Sequence, residues 1–167
     1  MLVGFGLRDS IMDIARRQYQ ELQHYTGTII DDEEATDKER QELDEFLKND
    51  SQIERYTHVQ FTKMSVPRNK SNISVYVYVP ENLETFNKDV TLQDRKTKEK
   101  YKLTDAGTVI SEKTATLTGL KAGDIMTITK DGKNYETKIA AVTENYMGHY
   151  ISVSYTHLRA HETCADL

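Results

Sequence analysis

The sequence predicts an α+β domain in which antiparallel strands, paired as hairpins, pack against a few helices. Three observations predict it. Ile73, Val75, Val77 and Val79 alternate with Ser74, Tyr76 and Tyr78, the period of two that marks a strand with one buried face. Asp131-Gly132 stands between the hydrophobic runs 125–129 and 135–142, and that dipeptide tolerates the positive φ angles of a tight hairpin. Helix signals lie between the strands: Thr36 with Glu39 forms a T-x-x-E capping box, and Ser111 and Gly119 bracket a short helix as N-cap and left-handed terminator.

With 167 residues, 37% of them hydrophobic, the chain supports one modest core and therefore one domain. A formal net charge of -5 argues against nucleic acid, whose phosphates demand a basic surface. No window approaches the roughly 18 to 20 continuous apolar residues of a membrane span, and residues 2–7 are too short for the apolar part of a secretion signal.

In chain order, residues 1–24 open with Leu2, Val3, Phe5 and Leu7, then Arg8 and Asp9, then a helical pattern through Ile11, Ile14, Ala15 and Leu22. Residues 25–30 read as a strand. Asp31, Asp32, Glu33 and Glu34 lack the alternation and the glycine of a calcium loop and read as solvated. The helix begun by the Thr36 box carries Leu43, Phe46 and Leu47 on one side, a narrow apolar stripe. Thr57, Val59 and Phe61 alternate with His58, Gln60 and Thr62 as a strand paired with 73–79 through a polar loop at 67–71.

Tyr76 and Tyr78, on the second face of that strand, either cover the sheet or form a ligand platform. Residues 82–87 form a helical turn around Leu83 and Phe86, and 90–103 a hairpin bent at 95–98. The basic cluster Arg95, Lys96, Lys98, Lys100 and Lys102 reads as the wet edge of that hairpin, with an acidic-headgroup contact as the alternative. The expected core is Val109, Ile110, Leu117, Leu120, Ile125, Ile128, Ile139 and Val142, with Ile73, Val75, Val77 and Val79 from the central strand.

The stretch 107–152 also carries a resemblance. A strand ending in VIS, a helix beginning EK, then GLKAGD, a hydrophobic strand, DGK-x-YE and AAVTENYMGHYI resemble the extracytoplasmic domain of FtsX-like ABC transporter permeases, related to the MacB family, from Gram-positive anaerobes. Gly119, Gly123, Asp124, Asp131, Gly132 and the run from Glu144 to Tyr150 carry it, and it extends more weakly over 2–152. The resemblance implies that 1–24 is a stalk helix leaving the membrane and that 25–152 is an extracytoplasmic α+β domain, truncated at its C-terminus. It places that domain on the outer side of the cell membrane.

Residues 153–167 form a separate case, because VSYTHLRAHET resembles the translation of a transposase-based sequencing adapter. The expectation is an artefactual tail outside the fold. His157, His161 and Cys164, which would otherwise suggest a zinc site, are set aside with it.

No nucleophile elbow, phosphate loop or H-E-x-x-H motif occurs, and Gly4-Phe5-Gly6 is not a dinucleotide fingerprint. The sequence therefore points to no catalytic, cofactor-binding or metal-binding residues, and to no enzyme. His24, His58 and His149 are the histidines before the tail, and a structural hydrogen bond is the expected duty of His149. The function the resemblance implies is coupling of membrane-helix motion, driven by a separate cytosolic ATP-binding cassette subunit that the domain does not touch, to export or extracellular signalling. The alternative is a free-standing soluble binding module without catalysis. The substrate, the choice between transporter and regulator of a cell-wall hydrolase, the oligomeric state and the continuation of the reading frame stay open.

Overall fold

The computed structural model describes residues 2–31, 34–68 and 71–156, and their side chains apart from those of residues 2–6 and 71. Expectations about the side chains of Leu2, Val3 and Phe5, about Asp32 and Glu33, and about the segment 157–167 with its histidines and cysteine lie outside the described residues. Helix α1 spans Leu2–Arg16 and runs into a π-helical turn, Arg17–Leu22. Helix α2, Asp37–Asn49, starts at the predicted capping box, with Thr36 and Glu39 bonded reciprocally. It has no buried residue, and Phe46 is 57% exposed, so its apolar stripe is only partly covered.

Strands β1 (Val59–Arg68) and β2 (Ser71–Pro80) form the predicted hairpin. The ladder continues to Pro67 and Arg68, which pair with Asn72 and Ser71, so most of the expected 67–71 loop is strand. After helix α3 (Leu83–Asp89), capped by Asn82, the short strands β3 (Leu92–Gln93) and β4 (Lys100–Tyr101) make the second expected hairpin. Strand β5 (Thr108–Ser111), helix α4 (Glu112–Thr118), and strands β6 (Ile125–Lys130), β7 (Lys133–Thr143) and β8 (Tyr150–Ser152) complete the order. Asp131 and Gly132 take φ of 50° and 78° in the β6/β7 turn, and Gly119 takes 75° after α4, as their residue types require.

The class is α+β as expected, but the strands are not all antiparallel and they do not form an open sheet. They close into a six-stranded barrel in the order β1-β2-β8-β5-β7-β6, with β8 parallel to β2 and β5 parallel to β7. The passage from β5 through α4 and β6 to β7 is long enough for a parallel crossover, which a tight hairpin is not. Inside the barrel Met64, Val66, Val75, Val77, Val79, Ile110, Met126, Ile128, Ile139, Ile151 and Val153 pack together. A second cluster lies outside the wall, where Phe86, Leu92 and Leu103 cover Val109 and Ala141.

Four expectations are corrected. Residues 25–30 form no strand: they have β-branched residues but no partner edge, and Ile30 is 88% exposed. Phe61 points outward because the inward positions of β1 are Met64 and Val66, whose even parity sets the register against the barrel. Ile125 likewise points out at 58% exposure, while Met126 and Ile128 fill the core. The fold does not stop at Ser152: Val153 is 1% exposed within the core, its N–H donates to the Tyr78 carbonyl at 3.0 Å, and Ser154 is buried beside it.

Candidate functional site

The feature with the most unusual chemistry is the junction between the N-terminal helix and the barrel. None of the described side chains of α1 from Leu7 onward is buried. The helix meets the domain at the π-helical turn, whose wider i to i−5 bonding includes Gln23 N–H to Gln18 carbonyl at 3.0 Å. That turn buries Gln18 and Leu22. Backbone bonds then hold the chain to the segment after α3, with Thr91 N–H donating to Leu22 and His24 N–H to Asp89, both at 2.8 Å. His24 Nε2 and Thr91 Oγ1 lie 2.8 Å apart and fasten the same strip through side chains.

A buried polar network continues from this anchor. Tyr146 N–H donates to Gln18 Oε1 at 2.9 Å, and the Tyr146 hydroxyl donates to Glu144 Oε2 at 2.9 Å. Glu144, whose side chain is 1% exposed, also accepts from Lys98 Nζ at 2.6 Å and from the Gln93 amide. Burial alone pushes the Glu144 carboxyl up, but the hydrogen bonds from Lys98, Gln93 and Tyr146 and the Lys98 charge outweigh it and hold the group below its ordinary value. Both carboxylate oxygens are therefore occupied by donors, an arrangement that fixes position and leaves no lone carboxylate to move protons. The network ties together the end of β7, the β3/β4 hairpin and the root of the N-terminal helix.

The residues singled out in the sequence fall around this frame. Glu144 and Tyr146, from the family-like run, sit in the network. Within the basic cluster Lys98 pairs with the buried Glu144 and Arg95 with the surface carboxylate of Glu112 at 2.9 Å, so these two cations are matched by carboxylates of the same chain. The ring of His149 does not make the expected structural bond: among the described residues its buried Nδ1 has no hydrogen-bond partner, and it is the backbone carbonyl that accepts from Tyr76 N–H at 2.8 Å. Burial, and after it the Lys113 charge, lowers the His149 pKa. Among the described residues no three His, Cys, Asp or Glu side chains gather as a metal site.

Tyr76 and Tyr78 are brought together with Phe61 and Tyr150 on the outside of the barrel. The Phe61 and Tyr76 rings stack at 5.0 Å between centroids with planes 11° apart, and Tyr150 lies 5.1 Å from Tyr78. Sequence reasoning missed Phe61 and Tyr150 as members, since their parity is set by pairing partners distant in the chain. It missed Gln18 for a different reason, because a glutamine in a polar helix carries no mark of burial.

No protein-family model and no characterised protein sequence matches the chain. Among solved structures it is similar to the extracellular domain of the noncanonic ABC-type transporter YknZ from Gram-positive bacteria, with 15% identity and a TM-score of 0.45. The match covers 72% of this chain and 65% of that one, so the chain spans about two thirds of the structure it resembles. Among the described residues no helix is long and apolar enough to cross a membrane.

Proposed function

We propose that the chain is part of the extracytoplasmic domain of an FtsX-like ABC transporter permease, held at the outer face of the cell membrane. In this reading residues 1–24 are a stalk that carries motion between membrane helices and the barrel, and a separate cytosolic ATPase subunit drives that motion. The observation that supports it best is the contrast along the N-terminal segment. Leu7, Ile11, Met12 and Ile14 stay 42 to 63% exposed on α1, while Gln18 and Leu22 at its root are buried in a hydrogen-bonded seat. A helix whose described side chains from Leu7 onward stay out of the core, yet rooted in a buried polar network, suits transmission of displacement better than it suits core formation. A continuous helix rises about 1.5 Å per residue and passes displacement along its axis with little absorbed. The motif resemblance over 107–152 supplies the family.

The test is a Gly-Gly-Ser insertion between Asp9 and Ser10 in the full-length permease. The expected result is normal assembly with loss of ATP-driven activity in cells. Unchanged activity would refute mechanical coupling through this helix. At the level of the gene, an in-frame stretch of about 20 apolar residues upstream of Leu2 beside an ATP-binding-cassette gene is the companion expectation.

A further inference from the structure

The aromatic cluster on the outer wall of the barrel is not used by the junction, and it is exposed. Phe61 from β1, Tyr76 and Tyr78 from β2 and Tyr150 from β8 form a closed ring of contacts with centroids 5.0 to 6.0 Å apart. Each contacting pair is inclined by 41° or less, so none of these contacts is edge-to-face. Phe61 is 52% and Tyr76 38% exposed. The Tyr25 hydroxyl borders the cluster: burial raises its pKa, and the nearby Tyr150 and Tyr19 hydroxyls raise it further. A phenyl ring on the wet face of a sheet needs a reason, because contiguous exposed apolar surface marks binding sites more often than chance.

Size and charge narrow the occupant. Four rings, two of them only partly exposed, fall short of the roughly 800 Å² per partner that a stable protein interface needs, which argues against a second copy. Lys63 pairs in register with Tyr76 on this face, and among the described residues no carboxylate is hydrogen-bonded to the hydroxyls of Tyr76, Tyr78 or Tyr150. A quaternary ammonium, the usual guest of an aromatic cage, would meet the like charge of Lys63. Among the described residues neither the Lys63 ammonium nor the Tyr76 hydroxyl has a hydrogen-bond or ionic partner, so polar groups are available at the rim of an apolar surface.

We infer that the Phe61, Tyr76, Tyr78 and Tyr150 face binds an oligosaccharide, neutral or acidic, laid across β1, β2 and β8. One side of a pyranose ring presents C–H bonds of slight positive charge, complementary to the negative face of an aromatic ring. Its equatorial hydroxyls, or a uronic carboxylate, would meet Lys63 and the Tyr76 hydroxyl. Adjacent strands about 4.8 Å apart give the cluster a width suited to two or three sugar units in an extended chain.

The experiment titrates the full chain with three soluble probes: hexamers of β-1,4-linked glucose, of β-1,4-linked N-acetylglucosamine and of galacturonate. Because the chain has no tryptophan, tyrosine emission reports binding directly, and calorimetry checks it. At least one hexamer is expected to bind, with affinity falling about tenfold in Phe61→Ala combined with Tyr76→Ala. Ile125→Ala, an exposed apolar residue on β6, is expected to leave affinity unchanged. Circular dichroism confirms folding of both variants, which change exposed positions. Absence of binding by all three hexamers, or binding indifferent to the double variant, overturns the inference. So does sedimentation showing that this face instead holds phospholipid vesicles or a second copy of the chain. None of these outcomes depends on the permease reading.

Discussion

Lys98 Nζ lies 2.6 Å from Glu144 Oε1, and the two ends of this pair are unequal: the Glu144 side chain is 1% exposed and that of Lys98 44%. The carboxylate is thus committed to the interior while its cation still touches water. Desolvation of the carboxylate is offset by three donors, of which Lys98 is the charged one.

The first prediction concerns acid. The folded pKa of Glu144 is lowered, so its contribution to stability is present above the unfolded value of 4.5 and is lost as pH falls through the depressed folded value. Exposed carboxylates with lowered values add to the same acid limb, so the informative quantity is a difference. Urea unfolding of the native chain and of Glu144→Gln, compared from pH 7 to pH 3, should show a shallower loss in the variant. Lys98→Met should cost less than the roughly 3 to 5 kcal/mol of a fully buried pair, because the ammonium is partly solvated. Equal pH slopes for native chain and Glu144→Gln would contradict the assignment.

What could be read in advance was what is local. The capping box at Thr36, the Ser111 and Gly119 ends of α4 and the Asp131-Gly132 turn depend on neighbours within four residues, and each forms as the residue types require. Barrel closure was not legible, because β8 enters between β2 and β5 through pairings that span more than 70 and 40 residues of chain, respectively. Phe61 shows the same limit on a smaller scale. Its own window suggests an inward ring, and the stronger pull of Met64 and Val66 three and five residues later reverses it. Residues 25–30 have strand composition, but a strand needs an edge, and β-branched residues cannot supply one. Gln18 and Glu144, the centre of the candidate site, are polar residues in polar surroundings, and only the folded chain shows that they are buried.

Two glycines should respond to alanine for different reasons. At Gly107 a Cβ would stand 2.6 Å from the Lys138 carbonyl oxygen, so β5 must move away from β7, at a cost of about 1 to 3 kcal/mol. At Gly119 nothing lies within 4 Å, but φ is +75°, and the left-handed backbone alone should cost about 1 to 2 kcal/mol. Crystal structures or amide shifts should separate them: displacement between β5 and β7 for Gly107→Ala, and changes confined to the end of α4 for Gly119→Ala. A neutral Gly107→Ala would mean that the two strands are not as close as described.

Core truncations should divide by location. Ile128→Ala empties a site 1% exposed inside the barrel and should cost about 2 to 5 kcal/mol in urea unfolding. Val153→Ala, also 1% exposed, should be clearly destabilising for the same reason, whereas Phe46→Ala on the exposed side of α2 should cost much less. A Val153→Ala variant as stable as the native chain would return the boundary of the fold to Ser152.

The last prediction isolates the seat of the N-terminal helix without relying on any membrane. Gln18 is 2% exposed, and its Oε1 is the acceptor for Tyr146 N–H, a contact across 128 residues of chain. Removing the acceptor in Gln18→Ala strands that part-buried donor, at a cost of up to the roughly 1 to 3 kcal/mol of a fully buried unsatisfied group. Because Tyr146 also donates to Glu144, the loss should spread along the network and not stop at one bond. Hydrogen exchange followed by mass spectrometry should therefore quicken both at 17–24 and at 144–148. The β6/β7 hairpin, stabilised by its own ladder, should keep its protection. Gln18→Glu retains an acceptor oxygen at the same distance but sets a second carboxylate into the network near Glu144. It should loosen the same two segments at neutral pH and tighten them again as the new carboxyl is protonated. Protection at 144–148 that is indifferent to both substitutions would show that the helix root and the network are energetically independent, despite their contact.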